Sequence, residues 1–336
     1  MITPADDPAA LRLAAGRIRT GGLVAFPTET VYGLGCDALN AHAADRIFLV
    51  KQRPSFDPLI VHIDDRTMLS SVVATLPVGA DQLIAAFWPG PLTLVLPKHP
   101  QVPDNVTAGL PTVAVRMPAH PTARALIRLS GCPIAAPSAN PFGYVSPTTA
   151  QHVREGLGDQ VDLVLDGGPC PIGVESTILS LVGAYPEILR PGSVSLEDLR
   201  HVLGPAVRPA GARPLSPMPG TGTRHYATRT PVTILSRLGE RPSVRSTRRV
   251  GLLALSAIDV LDDRFAVVEV LSPSGNVQDI ARRLFAALRW MDTQHLDHVY
   301  VEPCEQVGLG VAIMDRLRRC AAGPHPGEGD RAGAAR

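Results

Sequence analysis

The residues best suited to chemistry are cations and small hydroxyls set where apolar runs end. Lys51 and Arg53 open a segment in which Pro54 and Pro58 fix the following backbone. Arg116 ends the apolar run 112–116 and Met117-Pro118 stops it, while Arg190 ends Ile188-Leu189 before Pro191-Gly192. An arginine left at a strand terminus is a carboxylate or phosphate clamp by type, since its planar fork binds either anion through two hydrogen bonds. Ser138 and Asn140 follow the run 133–136, Ser146 leads into Pro147-Thr148-Thr149, and Ser176 precedes Thr177-Ile178. No serine nucleophile elbow and no triad accompanies them. The set suits anion binding and the stabilisation of charge on oxygen.

The stretch the rest is arranged around is Pro27-Thr28-Glu29-Thr30-Val31-Tyr32-Gly33-Leu34-Gly35, directly after Leu23-Val24-Ala25-Phe26. It reads as a strand opening into a polar loop, with Gly33 and Gly35 allowing close backbone approach to a ligand. Asp7-Pro8 predicts a helix start with an apolar stripe at Leu11, Ala14, Ala15 and Ile18, ended by Gly21-Gly22. Asn40 caps a helix over 40–50, which delivers Lys51 and Arg53 at its C-terminal end. Further helices are expected at 78–87 and 121–130, and one opening at 146–149 whose first amides favour anions. Strands are expected at 59–63, 92–96, 112–116, 133–136, 163–166, 176–181 and 188–190. His62 alternates with apolar neighbours, and Trp88 is a packing residue before Pro89-Gly90-Pro91. Interleaved strands and helices predict an α/β domain with a mixed, twisted sheet, ending near residue 204.

Residues 205–231 are rich in proline, glycine, threonine and arginine without periodicity, the composition of a linker. Beyond it, strands near 232–236, 249–254, 265–270 and 298–301 and helices near 277–291 and 309–320 predict a small Rossmann-like domain over 232–322. No Gly-x-Gly-x-x-Gly turn follows its first strand, so nucleotide binding there has no support. Residues 323–336 read as a disordered tail.

A chain of 336 residues with net charge +1 is long enough for two domains and carries no polyelectrolyte signature. Only Lys51 and Lys98 are lysines, so arginine abundance reflects composition and each arginine is judged by position. Five scattered cysteines lack metal-ligand spacing and read as reduced residues of a cytoplasmic protein, with no dedicated metal site. No apolar run reaches transmembrane length, and no membrane association is expected.

Taken in order, the segments 27–35, 51–59, Trp88-Pro89-Gly90-Pro91-Leu92-Thr93, 113–118, 136–140 and 173–178 resemble the YrdC-like family, specifically its two-domain threonylcarbamoyl-AMP synthases, over about residues 7–321. The resemblance implies a YrdC-like twisted mixed sheet with flanking helices and a concave cleft, residues 1–204 forming the catalytic domain. It implies a nucleotidyltransferase that makes threonylcarbamoyl-AMP and pyrophosphate from L-threonine, bicarbonate and ATP, with Mg2+ carried by the ATP. The product would serve a downstream threonylcarbamoyl transferase complex that modifies the adenosine beside the anticodon of tRNA. Position by position, Thr30, His62, Arg116, Ala136 and Ser176 correspond to threonine contacts. Arg53, Asp57, Thr112, Ser138, Ser146, Arg190 and Tyr226 correspond to ATP contacts, and Lys51, Arg53, Ser138 and Asn140 to the basic cluster around the phosphates. Asp57 stands where the family commonly has asparagine, and a carboxylate beside a triphosphate is repulsive unless it faces magnesium or an arginine. Arg224-His225-Tyr226-Ala227 matches the linker segment that folds over the family's active site, with departures at Thr221, Gly222, Thr223 and Thr228. Two other readings compete. One is a non-catalytic protein binding RNA weakly on a basic concave face, disfavoured by the near-neutral charge. The other is a carbamoyl-phosphate-dependent transferase, whose additional modules have no counterpart here.

Overall fold

The structure, a computed structural model, describes residues 1–211, 225–240, 242, 248–257 and 263–323. These divide into two compact units: Met1–Phe142 with 146–211, and Gly143–Val145 with the described residues from 225 onward. The departures at Thr221, Gly222 and Thr223, and the tail beyond Gly323, lie outside the described residues.

In the first unit the strands are β1 (Ile2–Pro4), β2 (Val24–Phe26), β3 (Gly33–Asp37), β4 (Ile60–His62), β5 (Leu92–Pro97), β6 (Thr112–Arg116), β7 (Ile134–Ala135), β8 (Leu163–Asp166), β9 (Thr177–Ser180) and β10 (Glu187–Arg190). They form one mixed sheet in the order β1-β8-β2-β3-β7-β4-β6-β5-β9-β10. Parallel pairs such as β4–β6 and β5–β9 alternate with antiparallel pairs such as β2–β3 and β5–β6. The predicted mixed, twisted α/β sheet is the one observed. Helix Pro8–Arg19 starts as expected, the Asp7 carboxylate accepting from the Ala9 amide at 2.8 Å. Helix Ala41–Lys51 is capped by Asn40 and stops where Gln52 turns left-handed at φ 52°, which swings Arg53 off the helix axis.

Two strands were not legible. The first, β1, is three residues long and ends in proline, a composition tolerated at a sheet edge but too short for a pattern; it pairs in parallel with β8. The second, β3, occupies part of the expected loop: the polar turn spans Pro27–Tyr32 and the chain then pairs antiparallel with β2. A Cβ on Gly35 would stand 2.7 Å from both Ile134 Cγ2 and Phe26 Cε1, so this glycine is required by packing inside the sheet rather than by ligand approach.

The second unit is a four-stranded, all-parallel sheet in the order β11 (Val232–Ile234), β14 (His298–Val301), β12 (Val250–Ala254) and β13 (Val267–Val270). Helices Val277–Asp292 and Leu309–Ala321 complete this small Rossmann-like layout. It gathers the tripeptide Gly143–Val145 into itself. Tyr144 donates through its hydroxyl to Asp292 at 2.9 Å, the Arg289 guanidinium donates to the Val145 carbonyl and lies 4.8 Å from the Tyr144 ring centroid, and the Ala227 amide donates to the Gly143 carbonyl at 2.8 Å.

Candidate active site

Sheet register brings the strand-end residues together. In the parallel pair β4–β6, His62 lies opposite Arg116, and in the antiparallel pair β5–β6 Arg116 lies opposite Thr93. Ser176, the residue before β9, meets Thr93 across the adjoining pair, with 2.8 Å between the two hydroxyls. Arg190 at the end of β10 donates from Nε and Nη2 to the Ser176 carbonyl at 3.1 and 3.0 Å, and from Nη2 to its hydroxyl at 3.1 Å. Ala136 continues past β7, its amide bonded to the Ile60 carbonyl at 2.8 Å. The polar turn is held by Thr28, whose Oγ1 accepts from the Thr30 and Val31 amides at 3.1 and 3.2 Å. Loop 172–173 docks on it, Ile172 and Gly173 donating to the carbonyls of Glu29 and Thr30.

Arg116 is the centre of this group. It is buried, donates from Nη1 to Thr30 Oγ1 at 2.9 Å and from Nε to the Gly90 carbonyl at 3.2 Å, and pairs through Nη2 with Glu29 Oε1 at 2.6 Å. Burial works to raise the Glu29 pKa, but the Arg116 charge and hydrogen bonding outweigh it and hold the carboxyl below its usual range. His62 Nδ1 lies 3.2 Å from the Ile60 carbonyl, and the Ile134 backbone also faces the ring, so backbone acceptors orient the imidazole. Burial, reinforced by the Arg116 charge, pushes the His62 pKa down to about 3, so the ring is neutral throughout the physiological range.

The basic pair is buried rather than spread on a solvated helix end. Lys51 is 1% exposed and its ammonium donates to the carbonyls of Ser138 and Asn140, while its own carbonyl accepts from the Phe142 amide at 2.9 Å. Burial first, then the neighbouring Arg53 charge, depresses the Lys51 pKa. Arg53 donates to the carbonyls of Asp57 and Pro58 at 2.9 and 2.8 Å and pairs with the Asp57 carboxylate at 2.8 Å. Asp57 thus faces an arginine, the arrangement that relieves the repulsion its charge would bring. Lys51 therefore stitches helix Ala41–Lys51 to the 138–140 loop, and Ser138 in turn bridges Gly33 at the mouth of the polar turn.

Other predicted residues are placed differently. Thr112 opens β6, at the opposite end from Arg116, and lines a small hollow with Pro58. At about 3.3 Å per residue that is roughly 13 Å along the strand. The Ser146 hydroxyl donates to Glu175 at 2.5 Å and stands before, not in, helix Ala150–Leu157, which Thr149 caps. Tyr226 belongs to the second unit, its ring fully buried 5.2 Å from Phe285 and 5.5 Å from the Arg316 guanidinium carbon, with φ at 65°. A separate cleft of about 520 Å³ beside His120 and Asp166 contains none of the predicted residues. Glu29, Thr93 and Glu175 were missing from the sequence-based site. Glu29 was legible only as a carboxylate between two threonines, while Thr93 and Glu175 enter through register and loop docking, which leave no local signal.

A mixed α/β sheet whose strand ends bring together buried arginines, hydroxyls and a neutral histidine presents a site suited to anionic ligands. Residues 17–192 match the family model described as "Telomere recombination" (Sua5_yciO_yrdC), and residues 194–322 match "Threonylcarbamoyl-AMP synthase, C-terminal domain". The chain is 44% identical over 328 residues to the threonylcarbamoyl-AMP synthase of Pyrococcus abyssi, covering 93% of this chain and 94% of that one. It is 42% identical over 335 residues to that of Bacillus subtilis, covering 95% and 94%. The crystal structure of P. abyssi Sua5 complexed with L-threonine superimposes with a TM-score of 0.85 at 43% identity, over 93% and 94% of the two chains. The chain belongs to the threonylcarbamoyl-AMP synthase family.

Proposed function

We propose that this protein is a nucleotidyltransferase that converts L-threonine, bicarbonate and MgATP into threonylcarbamoyl-AMP, pyrophosphate and water. Likeness across both domains to named threonylcarbamoyl-AMP synthases is the observation that carries the reading. The chemistry asks for orientation and charge placement more than for a covalent partner. Threonine's neutral amine is carboxylated to a carbamate, whose carboxylate then attacks the α-phosphate in line and displaces pyrophosphate. Arg116 suits the threonine carboxylate because it is an anchored, buried fork. His62, a neutral imidazole held by backbone carbonyls, suits a hydrogen bond with the substrate hydroxyl. Arg53, Lys51 and Arg190, with the 138–140 loop that Lys51 holds, form the polyphosphate side. Magnesium enters as part of the nucleotide substrate. The product's reactivity calls for a transferase that passes the threonylcarbamoyl group to tRNA in the cytoplasm.

The test is pyrophosphate release from MgATP with and without L-threonine and bicarbonate, with mass spectrometry of the quenched product. Release dependent on both, with the mass of threonylcarbamoyl-AMP, is expected. Release independent of threonine would mean a different acceptor, and no release from folded, ATP-binding protein would overturn the reading.

A further inference from the structure

Glu29 is 6% exposed and lies beside Arg116, and its carboxylate is also faced by the Ala119 amide and its own backbone amide, yet among the described residues no contact to either carboxylate oxygen, that of Arg116 Nη2 included, is well aligned. The two groups are held together by charge, at 2.6 Å, with part of their hydrogen-bonding capacity open to a ligand. A buried ion pair offsets its desolvation only when further hydrogen bonds fill the remaining lone pairs and protons, and buried polar groups are seldom left short of partners. What remains is specific: carboxylate lone pairs without a well-aligned donor beside an N–H of the neighbouring guanidinium. An α-amino acid zwitterion presents the complement, an ammonium with three donors one carbon away from a carboxylate that accepts two.

We propose that Glu29 receives the substrate's amino group while Arg116 receives its carboxylate, so that the buried pair recognises the zwitterion and sets selection for amino acids over hydroxy acids. The assignment rests on the reading of threonine as substrate. Surrounding groups agree with it. Thr30 Oγ1 is engaged by Arg116 and lies 2.9 Å from Thr28 Oγ1, so the turn that carries Glu29 is fixed relative to the arginine. The Glu29 backbone carbonyl is tied separately to Ile172, leaving the side chain as the adjustable part. Glu29 touches substrate here as a specificity residue.

The test is calorimetric binding of L-threonine and of 2,3-dihydroxybutanoate, in which a hydroxyl replaces the amino group, to wild type and Glu29→Gln. Wild type is expected to prefer threonine by at least tenfold. In Glu29→Gln, threonine affinity should drop at least tenfold and hydroxy-acid affinity change less than threefold, with ATP affinity unaltered. Equal loss of both acids would assign Glu29 to holding Arg116 alone and overturn the proposal, as would retention of the preference. Should Glu29→Gln fail to fold, Glu29→Asp keeps the charge and must keep the preference; its loss counts equally against the assignment. If wild type binds ATP but neither threonine nor any other amino acid, the functional reading itself fails. If it binds threonine and the glutamine variant discriminates as well as wild type, only the Glu29 assignment does.

Discussion

Arg116 and Lys51 do different work although both are buried cations. Arg116 has one face committed to Thr30 and Gly90 and the other to a carboxylate, so Arg116→Ala removes a charge-assisted contact of about 1.5–3 kcal/mol. A ten- to hundredfold rise in threonine KM with little change in ATP KM is expected, read from initial rates of pyrophosphate release. Lys51 spends its hydrogens on two carbonyls of the 138–140 loop. Lys51→Ala strands both, at roughly 1–3 kcal/mol each, which for a unit of this size lowers Tm by about 4–24 °C. Turnover should vanish; a rate within a few-fold of wild type would refute the role given to the loop. These residues were legible because each stands at a break in an apolar run. Their partners were not, since the Lys51 contacts lie 87 and 89 residues away and no local pattern encodes them.

At the level of elements, most helices and strands followed from caps and alternation, as at Asp7, Asn40 and Arg116. What escaped was β3, because Gly33 and Gly35 have the composition of a turn, and their strand role depends on Phe26 packing over both, with Ala136 over Gly33 and Ile134 over Gly35. The strand β4 carries a consequence for acid stability. His62 stays neutral when folded, with a pKa of about 3 against 6.5 ordinarily, whereas the unfolded chain takes up a proton near 6.5. Acid therefore favours unfolding, and stability should fall by up to about 1.4 kcal/mol per pH unit below 6.5, levelling near pH 3. Arg116, which opposes the imidazolium, and Glu29, which favours it, face the ring. Denaturant titrations between pH 7 and 4.5 should show this slope, and His62→Gln should lose that part of it; identical slopes would contradict the neutral, buried ring.

For the whole molecule, each unit has its own sheet, and in the second the grip on Gly143–Val145 is built from Tyr144, Arg289 and Asp292. Burial and the Asp292 carboxylate push the Tyr144 pKa up to about 12, so its phenol remains a donor at all working pH values. Asp292 also accepts from the Arg229 and Thr230 amides at 3.0 and 2.7 Å. Tyr144→Phe should cost the second unit about 1–2 kcal/mol, seen as faster amide exchange in helix Val277–Asp292, with exchange in Pro8–Arg19 unchanged. Exchange that rises equally in both helices, or in neither, would count against a local tie.

That excursion also means the boundary in space and the boundary along the gene do not coincide. An N-terminal fragment ending near residue 211 would keep Tyr144 but leave behind Asp292 and Arg289, and a C-terminal fragment would inherit a socket without its plug. Anyone shuffling, fusing or truncating this protein by cutting once would divide the second unit as well as free the first.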